Sequence, residues 1–138
     1  MTQIKQIFTV FMKHKEVTDK IISAFYKVYN TLGFGFLEKV YEKALLIELR
    51  KNGLDASAQK AIKVHYESQE IGEYFADIIV NDCVILELKA VDILCDEHSY
   101  QLINYLKATK IEVGLLLNFG KNPQIKRKIF DNDYKRSF

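Results

Sequence analysis

The hydrophobic period of this sequence changes twice, from helical to alternating and back to helical. Apolar residues recur at three- and four-residue steps over residues 17–32 and again over 37–49, which predicts two helices. Residues 62–66 alternate between apolar and polar, which is the two-residue period of a half-exposed strand. The helical period returns after Asp96. This order predicts a mixed α/β layer structure.

Three further segments have the apolar content of strands: residues 74–80, 84–91 and 111–119. The pair Asn81-Asp82 tolerates positive φ and predicts a hairpin loop. Residues 68–72 predict a turn, and residues 125–130 fit either a strand or a helix. The sequence thus predicts two helices, a three-strand antiparallel meander, a helix and a strand.

The chain of 138 residues has the size of one domain. We therefore expect a single domain over residues 1–138, with residues 1–14 as an N-terminal extension of undetermined form. Apolar runs are far shorter than the ~20 residues of a membrane span, and no secretory signal is recognisable. A cytoplasmic location with no membrane contact is expected. The two cysteines lack the spacing of a zinc site.

The carboxy-terminal residues 121–138 carry six Lys/Arg and two Asp. Such a basic segment can attract nucleic acid, although a solvated surface is the alternative. Lys60, Lys63, Lys121 and Arg127 are candidates for contacts with a phosphate backbone, which carry no sequence information. No base-reading helix or aromatic stacking platform is recognisable, so sequence specificity is not readable.

Three charged residues interrupt strands that otherwise resemble core. Asp77 lies in one strand, and Glu87 and Lys89 lie two residues apart on one face of the next. Burying a charge is costly unless it is paired or binds a metal. An ion pair at an exposed sheet edge is the alternative for each residue alone. Together the three favour a functional site.

The length of the hairpin loop decides whether the two acids meet. A two-residue loop would send Asp77 and Glu87 to opposite faces. A three-residue loop over 81–83 pairs Val80 with Val84 and sets the acids opposite each other, so that both can bind one hard cation such as Mg²⁺. We predict that loop, or a bulge.

Asp77 followed by Glu87-Leu88-Lys89 resembles the signature of the PD-(D/E)XK nuclease superfamily. The order of elements resembles its restriction-endonuclease-like core with an additional N-terminal helix. The segment Gly35–Tyr41 resembles the pattern of the GxxExxY protein family, a bacterial group assigned to that superfamily. The resemblance runs from about residue 17 to 129 and includes the following segments: Tyr74–Asp77, Gln101–Leu106 and Val113–Gly120. Ala76 stands where the superfamily name has proline.

The resemblance implies a Mg²⁺ or Mn²⁺ ion bound by Asp77, Glu87 and the backbone carbonyl of Leu88. Lys89 would orient or deprotonate the attacking water. Glu38 would be a third acidic ligand, although an acid near a helix start also favours the helix dipole. Glu42, one turn later, is a second candidate.

Gln101 and Tyr105 are four residues apart and share a helix face. Gln101 could hold the water or a substrate phosphate, and Tyr105 could contact substrate. A polar helix face beside a core tyrosine is the alternative. His98 could flank the site or be structural.

The resemblance implies a divalent-metal-dependent nuclease that hydrolyses phosphodiester bonds, with DNA favoured over RNA. The alternative is a nuclease-like module that binds nucleic acid or a protein partner without cutting. A homodimer or a partner could help a small domain to grip its substrate.

Overall fold

The computed structural model describes residues 14–135, which form a mixed α/β fold. Its elements are α1 (Lys15–Leu32), α2 (Glu38–Lys51), β1 (Ala56–Tyr66), β2 (Gln69–Val80), β3 (Val84–Lys89), α3 (Asp96–Lys107), β4 (Val113–Asn118), β5 (Gln124–Ile129) and a 3-10 turn (Asn132–Tyr134). The predicted element order is confirmed, and the undecided segment 125–130 is mainly strand. The predicted N-terminal extension, except for His14, lies outside the described residues. None of the helices within 14–135 has the length and apolar character to cross a membrane.

The five strands form one sheet in the order β1-β2-β3-β4-β5. The first three are the predicted antiparallel meander. Strand β4 runs parallel to β3, because α3 carries the chain back across the sheet, and β5 is antiparallel to β4. The sheet therefore ends in β1 on one side and β5 on the other.

The turn between β1 and β2 is shorter than predicted. Tyr66 pairs with Gln69, so the turn consists of Glu67 and Ser68 rather than residues 68–72. Their φ values are 48° and 64°, which suit a tight two-residue hairpin turn. Neither glutamate nor serine strongly favours such a turn, so the sequence pattern does not indicate its position. Strand β1 also begins at Ala56, earlier than the alternation predicted.

Helices cover both faces of the sheet. On one face Phe25 of α1 and Tyr41 of α2 pack against Phe119, and the Tyr41 and Phe119 rings are stacked with centroids 4.5 Å apart. On the other face Leu102 and Leu106 of α3 pack against the sheet. Strands β3 and β4 are therefore buried on both sides, which explains their apolar content.

The buried side chains of the β1–β2 hairpin belong to one core at its open end and to the other core farther along. Ala56 and Ile78 belong to the core beneath α1 and α2, whereas Ile62 and Ala76 belong to the core beneath α3. The change occurs beside Gln59, a non-glycine residue with a φ of 54°. In the β1–β2 ladder the positions on both sides of Gln59 are paired, but Gln59 is not paired with the residue opposite it. Position 77 of β2 therefore lies where the hairpin is locally irregular.

Candidate active site

The loop between β2 and β3 has the predicted three residues, 81–83. The first two both have a φ of 51°, in the left-handed region that asparagine and aspartate tolerate. Val80 pairs with Val84, and the ladder continues to Ile78 opposite Leu86. The register prediction is confirmed over these pairs.

Asp77 and Glu87 come together one step beyond that ladder. The backbone N–H of Asp77 donates to Oε1 of Glu87 at 3.2 Å. The backbone N–H of Leu88 donates to Oδ2 of Asp77 at 2.8 Å. Carboxylate oxygens thus take the place of backbone acceptors where the strands separate, and each acid is held by main chain of the neighbouring strand.

The carbonyl of Leu88 faces the same opening. The next carbonyl, that of Lys89, accepts a hydrogen bond of 2.7 Å from the N–H of Phe119, on the β4 side. Because successive carbonyls of an extended strand point to opposite edges, the Leu88 carbonyl points toward β2. It therefore lies on the side of β3 where Asp77 lies.

Burial dominates the electrostatics of the acid pair. Glu87 is 4% exposed, and its burial, with the nearby charge of Asp77, raises its pKa to about 8. Burial also raises the pKa of Asp77, despite the hydrogen bond from Leu88. The Lys89 charge opposes both shifts. Among residues 14–135, neither acid forms a direct ion pair. The pair therefore favours uptake of a proton or a cation.

An acid from α2 is connected to Asp77 through a glutamine. Glu42 is 6% exposed; its Oε1 accepts from Nε2 of Gln59 at 3.1 Å, and its Oε2 accepts from Lys39 at 2.8 Å. The same Gln59 nitrogen is 3.5 Å from Oδ1 of Asp77. Glu38, the first residue of α2, is exposed, and its charge helps to raise the pKa of Glu87. Of the two candidates for the third acid, Glu42 is therefore the one that is hydrogen-bonded toward Asp77.

The donor atoms suit a hard divalent cation. Two carboxylates and the Leu88 carbonyl offer oxygen alone, which Mg²⁺ and Mn²⁺ prefer. Within the described chain, no three His, Cys, Asp or Glu side chains cluster closely enough to form a complete ligand set. Water or substrate oxygens would complete the coordination, as is usual for Mg²⁺. The uncompensated burial of the acid pair fits this cation.

Helix α3 brings Gln101 and Tyr105 together. Nε2 of Gln101 donates to the Tyr105 hydroxyl at 2.7 Å. Tyr105 packs in the same buried cluster as Ala76, the residue before Asp77. Burial and the charge of Glu87 raise the pKa of Tyr105. His98 accepts a hydrogen bond of 3.3 Å at Nδ1 from the backbone N–H of Cys95, which makes it part of the helix cap.

The four basic candidates do not form one patch. Lys60 and Lys63 on β1 form exposed ion pairs with Asp82 and Glu70 at 2.9 and 3.2 Å. Lys121 is exposed between β4 and β5. Arg127 lies on β5, at the edge of the sheet opposite β1. Its pairing partner Leu115 belongs to the core beneath α1 and α2, so Arg127 lies on that face of the sheet. The structure does not gather them around the acid pair.

Asn118 is a site-supporting residue that the sequence did not single out. It is fully buried, and its Oδ1 accepts from the N–H groups of Val91 and Gly120 at 3.0 and 3.1 Å. Its Nδ2 donates to the Val91 carbonyl at 2.8 Å. The chain just after Lys89 is thereby fixed to the end of β4. A polar residue ending an apolar run was the available signal.

The meander carries Asp77, Glu87 and Lys89 on a sheet that helices cover on both faces. A sequence model of the PD-(D/E)XK nuclease superfamily matches residues 15–129, and the chain belongs to that superfamily. The crystal structure of a protein designated SSO0001 is similar in fold, with a TM-score of 0.53 and 18% identity. The match covers 89% of this chain and 62% of that one, so this chain spans less than two thirds of its length. No curated protein matches the sequence.

Proposed function

We propose that this chain is a divalent-metal-dependent nuclease that hydrolyses phosphodiester bonds, with DNA as the favoured substrate. The observation that carries the proposal is the junction of Asp77 and Glu87 beside Lys89, in a chain of the PD-(D/E)XK nuclease superfamily. The GxxExxY family, the homodimer or protein partner and the cytoplasmic location stay predictions.

Asp77, Glu87 and the Leu88 carbonyl would hold the cation. Glu42 would add negative charge near these ligands, and the Gln59 amide links it to Asp77 by hydrogen bonds. Glu38 is the other candidate for the third acid. Bound Mg²⁺ or Mn²⁺ supplies positive charge against the scissile phosphate and acidifies the attacking water. The main-chain bonds to the two carboxylates hold the ligands in place before substrate arrives.

Lys89 would act on the reacting groups. It shares a face of β3 with Glu87, and its ammonium can orient the attacking water or offset charge that develops on the phosphate. Gln101 would hold the water or a phosphate oxygen, in an orientation set by its bond to Tyr105. Tyr105, Lys63, Lys121 and Arg127 are the candidates for substrate contact. Tyr105 packs in the buried cluster that includes Ala76, the residue before Asp77.

The alternative is a nuclease-like module that binds nucleic acid or a partner without cutting it. The observation in its favour is that no third acid completes a cluster with Asp77 and Glu87 within residues 14–135. The two functions differ in whether wild-type protein turns over a labelled oligonucleotide.

The test is incubation of purified protein with labelled single- and double-stranded DNA and RNA, in Mg²⁺, Mn²⁺ or EDTA. Asp77→Ala and Lys89→Ala are the variants expected to be inactive, and Lys20→Ala on α1 is the control for loss of an exposed lysine. Cleavage that requires metal and is lost in the first two variants alone supports the nuclease. Binding without cleavage, unchanged in Asp77→Ala, supports the alternative.

A further inference from the structure

A groove lies between the β1–β2 hairpin and α3. Its volume is about 570 Å³, within the ~300–1,000 Å³ of ligand pockets. The hairpin contributes Ile71 and Tyr74, and α3 contributes Tyr100, Asn104 and Tyr105. None of the charged residues of β2 and β3 lines it, so the acid pair is not part of the groove's lining.

The walls of the groove offer aromatic faces to solvent. Tyr74 and Tyr100 are 52% and 59% exposed. The Tyr74 and Tyr105 rings are tilted against each other with centroids 5.9 Å apart, and Tyr105 is only 5% exposed, so it packs against the Tyr74 ring from α3. The amides of Gln101 and Asn104 lie among these rings and can donate and accept hydrogen bonds. Flat apolar faces with polar groups beside them suit a planar ring that carries donors and acceptors.

Tyr105 connects the groove with the strands that carry the acid pair. Its ring lines the groove, and its hydroxyl accepts a hydrogen bond from Gln101, which lines the groove as well. Tyr105 also packs in the buried cluster that contains Ala76 and Ile85, which lie one residue before Asp77 and two residues before Glu87. A ligand in the groove would therefore be next to a phosphate at the acid pair.

We propose that this groove binds an unpaired nucleobase adjacent to the scissile phosphodiester, so that the substrate is single-stranded or locally unpaired nucleic acid. Bases in a duplex are stacked on each other and leave no face for tyrosine, whereas unstacked bases can stack on aromatic side chains. The inference rests on the proposed nuclease function, because the acid pair identifies which phosphate lies beside the base.

The test is fluorescence anisotropy in EDTA with three labelled probes of equal charge per strand: a single strand, the same strand with abasic sites, and the duplex. Wild type is expected to bind the single strand more tightly than the abasic strand or the duplex. Tyr100→Ala should weaken single-strand binding about 5- to 100-fold and leave abasic binding unchanged. Tyr100→Phe keeps the ring and should restore binding, which separates stacking from misfolding.

The matched control is Tyr26→Ala, an exposed tyrosine of α1 on the other side of the sheet. Equal binding of base-bearing and abasic strands by wild type would overturn the inference. The inference would also be overturned if Tyr100→Ala lost affinity equally for the base-bearing and abasic strands. The same holds if Tyr26→Ala weakened single-strand binding as much as Tyr100→Ala. Base-dependent binding by a protein that cleaves nothing would instead overturn the nuclease function alone.

Discussion

The backbone N–H of Asp77 donates a hydrogen bond of 3.2 Å to Oε1 of Glu87. The spacing of the two acids is thus set by main chain rather than by flexible side chains. It follows that the site depends on strand register and on the groups that hold the strands in place.

The charge of Glu87 should destabilise the metal-free protein at high pH. Burial raises the folded-state pKa of Glu87 from 4.5 to about 8, so folding favours the protonated form. This contribution to stability is complete below about pH 4.5 and is lost as the pH rises toward 8. In EDTA, Glu87→Gln should therefore raise the unfolding temperature at pH 8 by roughly 5 °C and change it little at pH 5.

Glu73→Gln, an exposed site on β2, is the control and should show the wild-type pH profile. Thermal unfolding followed by circular dichroism across this pH range gives the answer. Parallel profiles for wild type and Glu87→Gln would show that Glu87 is not the buried acid described.

Glu42 should matter more than Glu38 for cation binding. Glu42 is buried and joined to Asp77 through Gln59, whereas Glu38 is exposed at the helix start. Glu42→Gln should weaken Mn²⁺ binding about 10- to 100-fold, the range of groups that support metal ligands. Glu38→Gln should cause a smaller loss. The reverse ranking, measured by calorimetric titration, would make Glu38 the third acid, as the sequence predicted.

Removing the Gln59 side chain should lower cleavage activity with little loss of fold. Gln59→Gly suits the positive φ at this position and removes the bridge between Glu42 and Asp77. The specific cleavage rate should fall about 10-fold or more. Ala58→Gly, which introduces a glycine at the neighbouring exposed position, should retain the wild-type rate. Equal rates for both variants would remove Gln59 from the site.

Asn118→Ala should destabilise the protein. The asparagine side chain is bonded to three backbone groups, two on Val91 and one on Gly120. Leaving them without these partners should cost about 2–4 kcal/mol. Denaturant unfolding measures the loss, with Asn104→Ala on exposed α3 surface as the control. A loss no larger than that of the control would mean that other groups fix this segment.

Local patterns predicted the parts of the site that depend on neighbouring residues. Asn81-Asp82 indicated the hairpin loop. Because a buried charge is costly when it is isolated, Asp77 and Glu87 were expected to meet, and a three-residue loop is the length that sets them opposite each other. Both the loop and the register through Ile78 and Leu86 are confirmed. Helices were predicted within two residues of their starts because their apolar period is long and regular.

Contacts between distant segments could not be predicted in this way. Gln59 and Glu42 are 17 residues apart, and Asn118 and Val91 are 27 apart. Hydrophobic period shows which face of an element is buried but not which polar side chains meet across elements. For the same reason the tyrosines of the groove, which come from β2 and α3, did not read as a stacking platform.

Asp77 and Glu87 are proposed to bind one divalent cation while Lys89 acts on the reacting groups. Calorimetric titration of Mn²⁺ into wild type, Asp77→Asn and Lys89→Met, with cleavage assays of the same samples, tests it directly. We predict that wild type binds the ion and cleaves, Asp77→Asn loses both properties, and Lys89→Met binds the ion without cleaving. Unchanged Mn²⁺ binding in Asp77→Asn, or full cleavage by Lys89→Met, would contradict the claim.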